Sequence, residues 1–267
     1  MIMSRLFTFG CSFTHYHYPT WADILSKEFK YHENWGQGGQ GNEFIFNSLN
    51  ECLVKNNITS DDTVIIMWAI IYRDDIYKDN KWSIGPKYRF DKADDPRGHF
   101  IKNVAFINAT KIMLESVGCK YYFLSLVPVD IDVLELNSKS SVVEHDISDI
   151  RNHYKECLES IRPSVYETIF NSDWTSRKFA PKNYSNPKNL RIDFHSSTAE
   201  HLEYLDAVLP EITISNSTRD WVEQVQEHLV QDPKGKNPFD LSTYRPWVKT
   251  FLKDDPPLWV WKEVNRL

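Results

Sequence analysis

Apolar residues recur along the chain in two alternating rhythms. Runs that are apolar at nearly every position, Leu6–Phe9, Val64–Trp68 and Tyr121–Val127, read as strands covered on both faces, as in a parallel sheet. A shorter extended piece lies near Tyr31–Asn34. Between these runs the apolar positions fall at helical spacing: Trp21, Ala22, Ile24, Leu25 and Phe29; Ile45, Phe46, Leu49 and Leu53; Phe100, Val104, Ile107, Ile112 and Leu114. Further on, Ile147, Ile150, Tyr154, Leu158 and Ile161 mark one more helix, and Leu202, Leu205 and Leu209 another. Thr20 with Asp23 and Ser197 with Glu200 form capping boxes at two helix starts, Asn42 caps a third, and Gly118 stands where a helix ends. The polar stretch from Asp74 to Gly98 reads as an excursion or lid, and Pro163–Leu190 as loop. Strands alternate with helices throughout, which predicts a three-layer α/β/α sandwich on a mostly parallel sheet.

The texture changes near Ser215. Two short amphipathic pieces, Trp221–Leu229 and Tyr244–Leu252, precede Pro256, Pro257, Trp259 and Trp261. The expected organisation is an α/β domain over 1–214 and an aromatic appendage over 215–267, packed on that domain or used in homo-oligomer or virion assembly. A length of 267 residues suits one decorated α/β domain. With 41% apolar and 25% charged residues the chain is neither collagen-like nor disordered. The net charge of -6, with no basic stretch interleaved with aromatics, argues against nucleic acid as a partner. The longest apolar runs are too short for a membrane span, and Met1 leads into a strand without a signal peptide, so a soluble, cytoplasmic protein is expected. Cys11, Cys52, Cys119 and Cys157 are scattered and suggest neither a disulfide framework nor a zinc site.

Ligands of an open parallel sheet bind beyond the carboxyl ends of its strands. There the chain places Gly10-Cys11-Ser12-Phe13-Thr14, the glycine run Gly36–Gly41, Tyr72-Arg73, and, before the last long helix, Asp193-Phe194-His195. A serine hydroxyl becomes a nucleophile when an imidazole takes its proton and a carboxylate fixes the imidazole. Ser12, His195 and Asp193 supply those roles, and the amides of Ser12 and Gly39 are candidate donors to an oxyanion.

These residues resemble a known family. Phe7–Thr14 looks like the first block of the SGNH, or GDSL-type, serine hydrolases, in which a glycine-x-serine after the first strand holds the nucleophile. Asn34–Gly39 resembles the second block, whose later glycine donates to the oxyanion, here Gly39. Asp193, His195 and His201 are similar to the terminal block, an aspartate before the catalytic histidine with a second histidine six positions on. The resemblance covers residues 1–214 and implies a flavodoxin-like SGNH fold, a Ser12–His195–Asp193 triad and no cofactor or metal. Two departures stand out: one residue, not two, separates Asp193 from His195, so that Ile192 occupies the usual Asp position; and Trp68–Arg73 lacks the third-block Asn, for which Arg73 is the substitute donor. Trp followed by Arg resembles a divergent, phage-encoded branch.

Other readings compete. Ser12 can be a turn serine bonding its own backbone. The glycine run is not followed by the Lys-Ser/Thr of a P-loop, and no acidic residue completes a dinucleotide fingerprint. Cys11 points away from Ser12 into the core; His15 and His17 lack a third ligand and read as part of an aromatic loop lining the cleft; Asp74, Asp75, Asp94 and Asp95 read as a solvated acidic surface. The expected function is a serine esterase acting on small acyl esters, in particular O-acetyl groups on carbohydrate. The alternatives are a decayed binding or virion module and an O-acyltransferase using the same acyl-enzyme.

Overall fold

The computed structural model describes residues 3–16, 18–71, 73–78, 81–84, 96–130, 147–172 and 195–231. Four strands form one wholly parallel sheet: β1 (Met3–Phe9), β2 (Phe29–Asn34), β3 (Thr63–Trp68) and, from later in the chain, β6 (Lys120–Ser125), in the spatial order β2-β1-β3-β6. Two short antiparallel strands, β4 (Asp75–Lys78) and β5 (Lys81–Ile84), make a separate hairpin. The strands are parallel because each is followed by a helical return. β3 is buried at all six positions, as its unbroken apolar run requires of a central strand.

The order of the strands dictates the layers. The step from β1 to β2 runs one way across the sheet, whereas β2 to β3 and β3 to β6 run the other way. Right-handed crossovers therefore put α1 (Trp21–Ser26) on one face, and α2 (Asn42–Asn56) and α3 (Pro96–Val117) on the other. α2 packs on α3, and α3 on α5 (Lys155–Glu159), which follows the short α4 (Ser148–His153). On the opposite face α1 packs on α7 (Thr198–Val208), which also meets α6 (Val165–Thr168) and α8 (Asn216–Gln231). The chain is thus an α/β protein with helices on both sides of a parallel sheet.

Local chemistry sets several boundaries. Phe29, expected to close the first helix, starts β2 instead, opposite Met3, because α1 stops after six residues at Lys27. Glycine at position 118 takes φ +75 and receives the α3 C-terminus, its amide donating to Leu114 O. The single helix expected from Ile147 to Ile161 is two, broken at Tyr154, and Ile161 instead forms a parallel bridge with Phe123 on β6. Inside the expected loop after Pro163, α6 forms on a capping box: Ser164 N donates to Glu167 at 2.8 Å, and Glu167 N to the Ser164 hydroxyl at 3.1 Å. α8 occupies the first amphipathic piece of the expected appendage, with Val222 and Val225 buried. The pieces after 231, including Tyr244–Leu252, Trp259 and Trp261, lie outside the described residues, as do Asp94 and Asp95. Among the described residues no helix is long and apolar enough to cross a membrane.

Asp75 corrects the expectation of a solvated acidic patch. It is 9% exposed, and its carboxylate accepts from the amides of Gly41 at 2.6 Å and Phe44 at 2.7 Å, closing the α2 N-terminus from another element. Gly41, not Asn42, is the N-cap residue; it has no side chain with which to cap, so Asp75 does so from the β4 hairpin. Burial raises Asp75 to about 6, against the opposing pull of the two amides. Asp75→Ala leaves two buried N–H groups without an acceptor and is expected to cost about 1–3 kcal/mol, read by chemical denaturation at pH 7. Since the folded state holds this proton more tightly than the unfolded chain does, the group's contribution to wild-type stability falls as pH rises from about 4 to about 6.

Candidate active site

The reversal in strand order lies between β1 and β3, and the carboxyl ends of these neighbours open the crevice where such sheets bind ligands. Immediately beyond β1 the chain turns through Gly10–Thr14, with the amides of Thr14 and His15 both donating to Cys11 O at 2.9 and 3.1 Å. This single turn lifts Ser12 over the strand end while Cys11 stays fully buried in the core. Gly10 has no alternative here, since a Cβ would stand 2.0 Å from Thr14 Oγ1 and 3.0 Å from Met67 O.

The glycine block is stitched to this turn. Gln37 N donates to Gly10 O at 3.0 Å, and Asn34, at the end of β2, donates through Nδ2 to Thr14 O at 2.8 Å while its Oδ1 accepts from Gly36 N at 2.9 Å. The ring Nδ1 of His15 lies 2.8 Å from Gly36 O, and because a carbonyl only accepts, this nitrogen carries the proton. His15 therefore ties two loops together, and His17 lies outside the described residues. Thr20 donates to Thr14 O at 2.8 Å, and its amide is held by Asp23 at 2.8 Å, so the far end of the loop is anchored on α1.

Gly38 lies over Ser12: a Cβ added to it would be 3.8 Å from the Ser12 Cβ. Gly39 follows in the left-handed region at φ +82, a conformation that a residue with a side chain rarely adopts. The amides of Ser12 and Gly39 make no hydrogen bond among the described residues, where the loop bonds are given by Thr14, His15, Gln37 and Gln40.

His195 reaches Ser12 from 183 residues away. Its Nε2 stands 2.7 Å from Ser12 Oγ, a normal O–H···N distance. The backbone that delivers it is set by the predicted capping box at α7: Ser197 N donates to Glu200 at 2.7 Å, and Glu200 N to the Ser197 hydroxyl at 3.2 Å. Thr198 donates to Pro19 O at 2.8 Å, and the Tyr18 hydroxyl to His195 O at 3.3 Å, joining this segment to the Ser12 loop. Asp193 lies outside the described residues.

His201 sits one helical turn into α7, 1% exposed, its ring edge-on to Phe13 at 6.2 Å. Burial, with the neighbouring His195, pushes it down to about 3. It is therefore neutral in the folded protein and charged in the unfolded chain below its ordinary value of 6.5. The stability this contributes is complete above about pH 6.5 and lost as pH falls toward 3, so His201→Leu is expected to flatten the acid limb of a stability–pH curve measured by urea unfolding.

Arg73 donates through Nη1 to Gln40 O at 2.9 Å, which fastens the glycine block to the segment after β3. That segment carries no Asn of its own, but two buried Asn side chains hold it from the helices. Asn42 of α2 accepts from Ala69 N at 2.7 Å and donates to Ala69 O at 3.0 Å; Asn103 of α3 donates to Ile71 O at 3.0 Å; and Asn42 Nδ2 bonds Asn103 Oδ1 at 2.7 Å. Asn42 thus braces the β3 end and does not cap α2. No pattern in the sequence distinguishes these two from solvent-facing helix Asn residues. Trp35 and Trp68, beside the glycine block and at the end of β3, are both buried in the core. Among the described residues no cluster of His, Cys, Asp or Glu could hold a metal.

No protein-family model matches the chain, and no curated protein matches it. Among solved structures, the chain is similar to a member of the lipolytic protein G-D-S-L family from Veillonella parvula DSM 2008, with 14% identity and a TM-score of 0.43 over 78% of this chain and 100% of that one.

Proposed function

We propose that the protein is a serine ester hydrolase with Ser12 as nucleophile and His195 as general base. The observation that carries this reading is the 2.7 Å contact between Ser12 Oγ and His195 Nε2 at the strand-order reversal. In the proposed reaction the Ser12 hydroxyl passes its proton to Nε2 as Oγ bonds the ester carbonyl carbon. The carbonyl oxygen, now carrying the electron pair, is met by the amides of Ser12 and Gly39, and Arg73 has four further N–H groups beyond the one given to Gln40. His195 returns the proton to the departing alcohol, and water then cleaves the acyl-enzyme by the same route. Asp193 is the proposed partner of Nδ1, holding the tautomer in which Nε2 is unprotonated.

A small acyl group suits the site, because Gly38 brings bare backbone close to Ser12. O-acetyl groups on carbohydrate are the proposed substrates, with Arg73 able to hydrogen-bond sugar hydroxyls. Release of acetate from acetylated mono- and oligosaccharides, compared with p-nitrophenyl acetate and longer acyl esters, tests this. The expected result is turnover of acetyl esters that declines with acyl length. Turnover of long acyl chains alone would overturn the acetyl assignment. Acetyl transfer to an added sugar in place of acetate release would make the protein an acyltransferase with the same acyl-enzyme, and no reaction with any ester would favour a binding module on this fold.

A further inference from the structure

The loop that carries Ser12 also grips the base. The Tyr16 ring lies nearly parallel to the His195 imidazole, with centroids 3.8 Å apart and an interplanar angle of 17°. Phe13 stands tilted against the same imidazole at 4.8 Å, and Tyr18, edge-on to Tyr16 at 4.9 Å, donates its hydroxyl to the His195 carbonyl. We propose that Tyr16 is a positioning residue that fixes the plane of the His195 imidazole against the Ser12 hydroxyl. The inference rests on the reading of Ser12 and His195 as nucleophile and base.

The α7 capping box, the Thr198–Pro19 bond and the Tyr18 hydroxyl hold the backbone around His195, and the contact with Ser12 holds one edge of its ring at Nε2. A parallel ring at 3.8 Å acts on the face of the imidazole, because turning it about its second torsion drives its edge into Tyr16. The same face serves the reaction: when the Ser12 proton arrives at Nε2, the imidazole becomes a cation lying on an electron-rich ring. Since Ser12 and Tyr16 share one short loop, nucleophile and base move together. The sequence shows Tyr16 only as part of an aromatic stretch, because its partner lies 179 residues further on.

The test combines kinetics with a spectroscopic signature. Wild type, Tyr16→Leu, Tyr16→Met and Tyr16→Phe are treated with a fluorophosphonate, and the rate of Ser12 modification is followed by intact mass. In the same proteins the His195 ring-proton resonances, assigned by their loss in His195→Ala, report the shielding of a stacked aromatic ring. The expected result is an upfield-shifted His195 signal in wild type and Tyr16→Phe, lost in Tyr16→Leu and Tyr16→Met. Labelling is expected to be about tenfold slower in the Leu and Met variants, with most of that rate restored in Tyr16→Phe. Circular dichroism identifies any variant that fails to fold, and Tyr16→Met then stands in for Tyr16→Leu. A folded Leu or Met variant that labels at the wild-type rate overturns the role of Tyr16 alone, as does a Tyr16→Phe that labels as slowly as they do. A wild type that takes no adduct overturns the esterase reading and this role with it.

Discussion

His195→Ala is expected to lower ester turnover by roughly ten-thousand- to a million-fold while leaving the fold intact. The size follows from the chemistry at one contact. In the proposed reaction the imidazole, with Nε2 2.7 Å from Ser12 Oγ, removes the proton as the carbon–oxygen bond forms; without it the hydroxyl must attack while still protonated or give its proton to water. The fold survives because His195 is only partly buried and the α7 start is held by Ser197, Glu200 and Thr198, none of which needs the imidazole. Ser12→Ala is expected to fall as far, and the double variant no further, since nucleophile and base act as one unit. Steady-state kinetics on an acetyl ester checks the pair, with thermal melting as the control. A His195→Ala loss below about tenfold would show that the contact is not used in the reaction.

Gly10→Ala is expected to damage both stability and activity. The added methyl would stand 2.0 Å from Thr14 Oγ1, 2.9 Å from Thr14 Cβ and 3.0 Å from Met67 O, so neither a rotamer change at Thr14 nor a shift of one strand relieves it. Over-packing of this kind costs about 1–3 kcal/mol. The turn that must move carries Ser12, and the Gly10 carbonyl is the acceptor that holds Gln37 and with it the glycine block. A displacement of about 1 Å at a reacting group costs roughly a hundredfold in rate. Urea unfolding and kcat/KM on the same preparation read the two effects; a stable Gly10→Ala with the wild-type rate would contradict the packing described at this turn.

Much of this site was legible in the sequence because its signals are local. The apolar runs locate β1, β3 and β6; Thr20, Asp23, Ser197 and Glu200 mark two helix starts; and the strand-end rule points to Ser12 and the glycine block, with His195 just ahead of the second of those helices. The meeting of Ser12 with His195 is the part of the triad expectation on which the geometry now bears. The rest of the site is settled by contacts distant in sequence. Asp75 reads as one acid in a polar stretch, yet the β4 hairpin carries it to the α2 N-terminus, where burial and two amides define it. Asn42 has the residue type and position of a cap, but the backbone of Ala69 claims its amide. Arg73, offered as a replacement oxyanion donor, is first of all a tether to Gln40, a carbonyl 33 positions earlier. Ser164 and Glu167 carry a local capping signal inside a stretch whose surrounding residues read as loop.

The most direct test of the central claim is the mass of the protein after fluorophosphonate treatment, followed by peptide mapping. The account predicts a single adduct on Ser12 in the wild type, absent from Ser12→Ala and reduced to background in His195→Ala. A folded wild type with no adduct, or an adduct on a different serine, would contradict it.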